Sequence, residues 1–161
     1  MEIFNRPIVW VLVLLSFLSI INYLRNRNKD PKTSSLLEGD LLESIKAGKL
    51  IKTSLLLGNG AKTSQQDEAG KNALITAAEH GKLKITAVLL DKSHNTDVNA
   101  SDNAGKTALM YACQNGDIKM AALLLKHGAN KSLSDNDGKT AIQYAEDTDK
   151  AKLIKMMHDV A

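Results

Sequence analysis

Two stretches of the chain, DEAGKNALITAAEHGKLKITAVLL at residues 67–90 and DNAGKTALMYACQNGDIKMAALLL at residues 102–125, repeat one pattern. A third copy, DNDGKTAIQYAEDTDKAKLIKMM, begins at Asp135, and a weaker one, DLLESIKAGKLIKTSLLLGNGA, begins near Asp40. The copies are offset by 33 or 35 residues. A fixed period of this length is typical of arrays of stacked units. We therefore divide residues 36–160 into four units, at about 36–66, 67–101, 102–134 and 135–160.

Each of the last three units carries a glycine three residues after its aspartate, at Gly70, Gly105 and Gly138. A tight turn at this place needs a positive φ, which glycine adopts at little cost. The pattern predicts a hairpin tip at the start of each of these units.

A pair of helices is expected after each tip. Asn72, Thr107 and Thr140 can cap the first helix, because their side-chain oxygens can accept free backbone N–H groups. Gly81 and Gly116 suit the left-handed position that ends a helix, and an apolar second helix follows. Two short helices cannot bury their apolar faces alone, so the units must stack into a solenoid.

The frame DxxGxTxLxxAxxxGxxxxxxLLL resembles the ankyrin repeat and extends over about three quarters of the chain. The Thr-Pro-Leu-His tetrapeptide of that family appears here as NALI, TALM and TAIQ, so the proline and the histidine are absent. The resemblance implies an all-α solenoid of helix-turn-helix units with β-hairpin tips.

The same resemblance implies that the tips and the exposed side of the first helices form a concave face that binds a partner protein. The tyrosines among these residues are either aromatic anchors for the partner or packed between helices. We call the assigned set the tip face. Its residues are Glu68, Lys71, Glu79, His80, Asn103, Lys106, Tyr111, Gln114, Asn115, Asn136, Asp137, Lys139 and Tyr144.

Residues 7–24, PIVWVLVLLSFLSIINYL, contain no charged side chain. As a helix they would extend roughly 27 Å, about the thickness of the hydrocarbon core of a bilayer. Trp10 and Tyr23 lie near the two ends, where aromatic rings favour the headgroup level. We predict that residues 1–24 are an N-terminal transmembrane anchor preceding the solenoid. The alternatives are a cleaved signal peptide, for which the cleavage site is poor, and a buried soluble helix.

The anchor is followed by residues 25–35, RNRNKDPKTSS, a polar sequence that predicts a flexible linker. One basic side chain precedes the span and four follow it closely. Basic residues resist translocation, so the repeats are expected in the cytoplasm of a single-pass membrane protein. The alternative is a periplasmic or extracellular location.

Charge and composition argue against other classes of function. Residues 1–35 account for the whole net charge of +3, so the repeats are neutral and lack the positive field of a nucleic-acid binder. Cys113 is the only cysteine and the histidines are scattered, so we predict no metal and no cofactor. Cys113 shares its repeat position with Ala78, and we expect it to be buried. No nucleophile or pocket-forming element accompanies the acidic residues, which predicts neither an enzyme nor a small-molecule substrate.

Two binding roles remain open for what we expect to be a monomer. In the first, the chain is an adaptor or scaffold that holds an unidentified protein partner at a membrane. In the second, it is a dedicated inhibitor or immunity protein that neutralises a toxin or secreted enzyme, a role that also suits the alternative location outside the cytoplasm.

Overall fold

Residues 41–148 and 150–159 are described by the computed structural model of the chain. The predicted anchor, the predicted linker and the first residues of unit one lie outside this range. None of the helices in the described part of the chain has the length and apolar character that a membrane span requires.

Four helix pairs follow one another, one for each predicted unit. Within a pair, a short turn joins the first helix to the second. The helices are α1 (residues 41–46), α2 (Leu50–Gly58), α3 (Ala73–Glu79), α4 (Leu83–Leu89), α5 (Ala108–Gln114), α6 (Ile118–Lys126), α7 (Ala141–Asp147) and α8 (Ala151–Asp159). A short 3₁₀ helix, Lys92–His94, lies in the loop after α4, where unit two is two residues longer than unit three.

Helices α3 and α5 begin and end as their sequence predicts, whereas at the start of α7 the Thr140 hydroxyl donates to Gln143 Oε1 at 3.1 Å instead of making the predicted cap. The Asn72 side chain accepts a hydrogen bond from the Ile75 N–H at 2.9 Å, and Thr107 accepts one from Met110 at 3.4 Å. Gly81 and Gly116 adopt φ values of 63° and 62° after α3 and α5. The helix bounds therefore follow from local sequence.

The units stack in two layers, with the first helices packed on one another and the second helices packed on one another. The first helices are the more deeply buried, because small residues such as Ala77, Ala112 and Ala145 let neighbouring helices approach closely. Leu74, Leu109 and other apolar side chains of the first helices complete a core that continues through all four units.

Cys113 is part of this core, with no exposed surface, which confirms the prediction that it is buried. Burial raises the pKa of its thiol to about 12. A thiol with so high a pKa is a poor nucleophile, and Cys113 therefore serves as a small apolar side chain.

The hairpin tips are shorter than the predicted β-hairpins. Single antiparallel bridges, Ser101 with Thr107 and Ser134 with Thr140, close the tips of units three and four, and the described residues contain no longer strand. The reason is local, since the chain enters α5 and α7 directly after Thr107 and Thr140 and leaves no residues for a ladder.

Candidate partner-binding surface

An aspartate organises each tip from within. In unit three, Asp102 Oδ1 accepts hydrogen bonds from the backbone N–H groups of Ala104 and Lys106, both at 2.9 Å. Asp67 and Asp135 make the same pair of bonds in their own units. The carboxylate thus fixes the turn and determines where the side chains on it point.

Neighbouring tips are joined by asparagines of the tip face. The Asn103 backbone N–H donates to the Ala69 carbonyl at 3.0 Å, and Asn103 Nδ2 donates to the Glu68 carbonyl at 3.1 Å. Asn136 repeats this one unit later, with its N–H on Ala104 and its Nδ2 on the Asn103 carbonyl, both at 3.0 Å. Three tips therefore form one continuous hydrogen-bonded row.

Asn115 makes a similar connection between first helices. Its Nδ2 lies 2.9 Å from the Glu79 carbonyl and 3.3 Å from the Ala78 carbonyl. These carbonyls belong to the last turn of α3, where backbone acceptors lack partners within the helix. The amide nitrogens of Asn103, Asn115 and Asn136 are all engaged inside the protein, although parts of these side chains are exposed.

Lysines and tyrosines alternate along the tip face. Lys71 Nζ lies 5.2 Å from the centre of the Tyr111 ring, and Lys106 Nζ lies 5.7 Å from the same ring. Lys106 also lies 4.7 Å from the Tyr144 ring, and Lys139 lies 4.4 Å from it. Each ring thus has one lysine from its own tip and one from the preceding tip within cation–π distance.

Each of these lysines also contacts the last residue of the first helix in its unit. Lys71 Nζ donates to Glu79 Oε1 at 2.6 Å, and Lys106 Nζ donates to Gln114 Oε1 at 3.3 Å. Lys139 pairs with Asp147, and this hydrogen bond raises the pKa of the Lys139 ammonium. Lys106 differs from the other two because its partner here is a neutral amide.

The tyrosine hydroxyls bond the aspartates that organise the tips. Tyr111 donates to Asp102 Oδ2 at 2.7 Å, and Tyr144 donates to Asp135 Oδ2 at 2.5 Å. Burial, followed by the bond to Asp102, raises the pKa of Tyr111 above its ordinary value. The bond from Tyr144 is the main cause that lowers the pKa of Asp135.

These positions separate the tip face into two sets. Glu68, His80, Gln114 and Asp137 are exposed, and Tyr144 is buried with only 8% of its surface exposed. The Tyr144 ring is therefore packed inside the protein and is not an exposed anchor. This agrees with the second alternative for the tyrosines, packing between helices. The remaining residues are partly buried or, like the three asparagines, exposed with their amide nitrogens engaged. Whether the exposed set contacts a partner stays a prediction.

The sequence analysis did not identify Asp102 and Asp135 as partners of the tyrosines. A signal was present, because each tyrosine follows its aspartate by nine residues in units three and four. In unit two the same position is Thr76, which is too short to reach Asp67. Thr76 Oγ1 is buried and has no hydrogen-bond partner in the described part of the chain.

The described residues contain no group of three or more histidine, cysteine, aspartate or glutamate side chains placed to hold a metal ion. The carboxylates of Asp67, Asp102 and Asp135 accept backbone N–H groups, and those of Asp102 and Asp135 also accept a tyrosine hydroxyl, so these three stabilise the turns. The arrangement supplies a mixed-charge surface whose turns are hydrogen-bonded to one another.

Comparison with known proteins agrees with this architecture. The family model described as ankyrin repeats in three copies matches residues 41–135 and 94–159. A search of curated proteins gives no match. The two matches together include most of the chain and all four helix pairs, and the chain belongs to the ankyrin-repeat family.

Proposed function

We propose that this chain is a membrane-tethered adaptor or scaffold whose tip face binds a protein partner. Ankyrin repeats indicate a protein–protein interaction module, which is the general part of this assignment. The tether and the use of the tip face are the specific parts, and separate observations support each.

The continuous row of tips is the observation that supports binding at the tip face. Hydrogen bonds from Asn103 and Asn136 hold three tips in fixed positions, so Glu68 and Asp137 are presented on one framework. A surface that is ordered before binding loses less conformational entropy when a partner arrives.

A photoreactive residue at Gln114 tests the location of this surface. Gln114 is exposed at the end of α5 and lies beside the lysine–tyrosine row. Irradiation of cells that make the full chain should give a protein adduct from this position. The matched control is the same residue at Lys119, exposed on α6 in the other layer. Adducts from Lys119 alone would contradict the proposal.

Truncation of exposed charges tests whether the tip face contributes to affinity. Replacing Glu68 and Asp137 together with alanine should weaken the Gln114 adduct. Replacing Lys119 and Lys152, two exposed charges on second helices, should leave the adduct unchanged. Both pairs are exposed, so neither double variant should disturb the fold. Equal adducts from both double variants would exclude these charges from the interface.

The number of partners distinguishes an adaptor from a dedicated inhibitor. A single tight complex that abolishes the activity of a toxin or enzyme would favour the inhibitor, and several weaker partners would favour the adaptor.

The uncharged run at residues 7–24 supports the tether. Extraction with alkaline carbonate should leave the chain in the membrane fraction. Fusions at Ala161 should activate a reporter that works only in the cytoplasm. Activity of an exterior-only reporter would reverse the orientation, and release of a shortened soluble product would indicate a cleaved signal peptide.

A further inference from the structure

An exposed apolar pair lies on α2, the second helix of unit one. The side chains of Ile51 and Leu55 are 87% and 64% exposed, and they are the large apolar side chains that stand out as exposed in the described residues. One helical turn separates them, so they share one face of α2. We call Ile51 and Leu55 the α2 patch.

Comparison with the other units shows that Ile51 is unusual. The equivalent positions in units two, three and four are Lys84, Lys119 and Lys152, all exposed. The positions equivalent to Leu55 hold Val88, Leu123 and Met156, which pack partly against the core. Unit one therefore replaces a charge with an isoleucine where the rest of the array meets water.

The surroundings of the patch are basic. Residues 44–66 contain four lysines and no acidic residue, and Lys46, Lys49 and Lys52 are exposed. Lys82 and Lys84 line a cavity of about 340 Å³ between α2 and α4, together with Leu50 and Leu83. An apolar surface with a cationic rim suits a membrane interface that contains anionic lipids.

The chain length between the proposed span and unit one brings the patch close to such an interface. Sixteen residues separate Leu24 from Leu41. Even fully extended, a chain of that length reaches roughly 60 Å at most, so the tether confines unit one to the neighbourhood of the membrane and raises its effective concentration there. Unit one is the unit nearest to the span along the sequence.

Two other occupants fit the patch less well. A second copy would place lysines against lysines, and two apolar side chains fall well short of the roughly 800 Å² per partner that a stable interface buries. Residues 25–35 contain no large apolar side chain, and the two between that segment and Leu41, Leu36 and Leu37, belong to the predicted unit one.

From these observations we infer that the α2 patch docks on the surface of a membrane containing anionic lipids, which orients the repeats relative to the bilayer. The inference rests on the proposed tether. Ile51 and Leu55 enter the interface between headgroups and acyl chains, and Lys49 and Lys84 face the lipid phosphates.

Fluorescence quenching in vesicles tests this docking with the full chain. A fluorophore is attached to a cysteine at Ser54, beside the patch on α2, in a chain that carries Cys113→Ala. The matched control places the cysteine at Ala122, the equivalent exposed position of unit three. Vesicles of phosphatidylcholine, with or without phosphatidylglycerol, contain a lipid whose headgroup bears a nitroxide quencher.

We expect stronger quenching at position 54 than at position 122, and more of it when phosphatidylglycerol is present. Ile51→Lys installs the residue of the other three units and should lower the docking equilibrium constant by roughly tenfold, because burial of an isoleucine side chain is worth about that factor or more. Equal quenching at the two positions, or quenching that Ile51→Lys leaves unchanged, would overturn the inference.

Two further readouts separate this inference from the tether. If alkaline carbonate releases the chain from the vesicles, the tether fails and the docking inference fails with it. If the chain stays in the membrane and positions 54 and 122 are quenched equally, docking alone fails. Thiol cross-linking between copies at position 54 would assign the patch to a second copy and would also overturn the inference.

Discussion

Gly105 and Gly138 share one backbone conformation but have different surroundings. Both have a φ of 78° at the tip of their unit. A Cβ at Gly105 would lie 2.6 Å from Asn136 Oδ1 and 2.9 Å from its backbone nitrogen. A Cβ at Gly138 would meet no atom within 4 Å. Position 105 therefore requires glycine both for its positive φ and for the closeness of Asn136, whereas position 138 requires it only for its positive φ.

This difference predicts unequal effects of alanine at the two positions. Gly138→Ala should lower the free energy of unfolding by about 1–2 kcal/mol, the cost of a left-handed conformation. Gly105→Ala should cost roughly 1–3 kcal/mol more, because Asn136 must move. Urea unfolding followed by circular dichroism measures both values. Equal losses would mean that the contact between the two tips relaxes without cost.

Thr76 carries a hydroxyl that its environment does not use. The side chain is fully buried, and its Oγ1 has no hydrogen-bond partner in the described part of the chain. Thr76→Val keeps the shape and removes this group, so it should raise the free energy of unfolding by on the order of 1 kcal/mol.

Thr53→Val is the matched control, because Thr53 is equally buried but its hydroxyl bonds the Lys49 carbonyl and the Ser44 hydroxyl, both at 3.0 Å. This variant should lose stability under the same unfolding assay. If Thr76→Val destabilised the protein as much as Thr53→Val does, the Thr76 hydroxyl would have to be bonded.

At the scale of elements, a hydrogen bond from Tyr144 on helix α7 links this helix to the tip of unit four. Its acceptor, Asp135, is only 6% exposed and also holds the turn through two backbone N–H groups. The tip of unit four and helix α7 are therefore connected through one carboxylate.

Tyr144→Phe should lower the free energy of unfolding by about 1–3 kcal/mol at neutral pH, because Asp135 loses a donor where water has little access. The loss should depend on pH. Tyr144 lowers the pKa of Asp135 below its ordinary 3.8, so this stabilisation is complete above pH 3.8 and disappears as the pH falls through the folded pKa.

Unfolding curves of the wild type and of Tyr144→Phe, recorded from pH 7 down to pH 2, should therefore converge in acid. A difference that stays constant across this range would show that the hydroxyl does not bond the ionised carboxylate.

The repeat period and the glycines are enough to predict the helix pairs and the tips. The tips depend on contacts between residues that are near in sequence, and the helix pairs depend on a core that is repeated in every unit. The bounds of α3 and α5 follow from Asn72, Thr107, Gly81 and Gly116 for this reason. The single bridges at the tips were not predicted, because hairpin turns with one bridge and with several have the same turn residues.

The sequence did not predict that the tip-face asparagines bond the neighbouring tip. Asn103 and Asn136 lie on exposed turns, where an amide serves a partner and a neighbouring tip equally well. Their hydrogen bonds go to backbone carbonyls of the preceding unit. The sequence of one unit does not tell how far those carbonyls lie from the next unit. The Tyr144 ring likewise has a neighbour from the unit before it, Lys106, whose Nζ lies 4.7 Å from the ring centre.

At the scale of the whole molecule, the four helix pairs share a core that runs from Leu41 to Met157. We expect residues 25–161 to fold as a helical, soluble monomer without residues 1–24, because about three stacked units suffice to bury a continuous core. Circular dichroism and sedimentation of this fragment check the prediction. A random-coil spectrum, or helix that returns only with residues 1–24 present, would show that the repeats need the N-terminal segment.

The tip of unit four keeps the geometry by which the tips of units two and three receive the next unit. Gly70 and Gly105 lie directly against Asn103 and Asn136, whereas the same side of Gly138 is open within the described residues. A tandem duplication of the 33 codons for residues 102–134 would place the Asn103 of the second copy against the Gly105 of the first, and Asn136 against the Gly105 of the second. The array therefore has a built-in route to lengthen by gene duplication, and an engineered fifth unit copied from residues 102–134 has a defined place to attach.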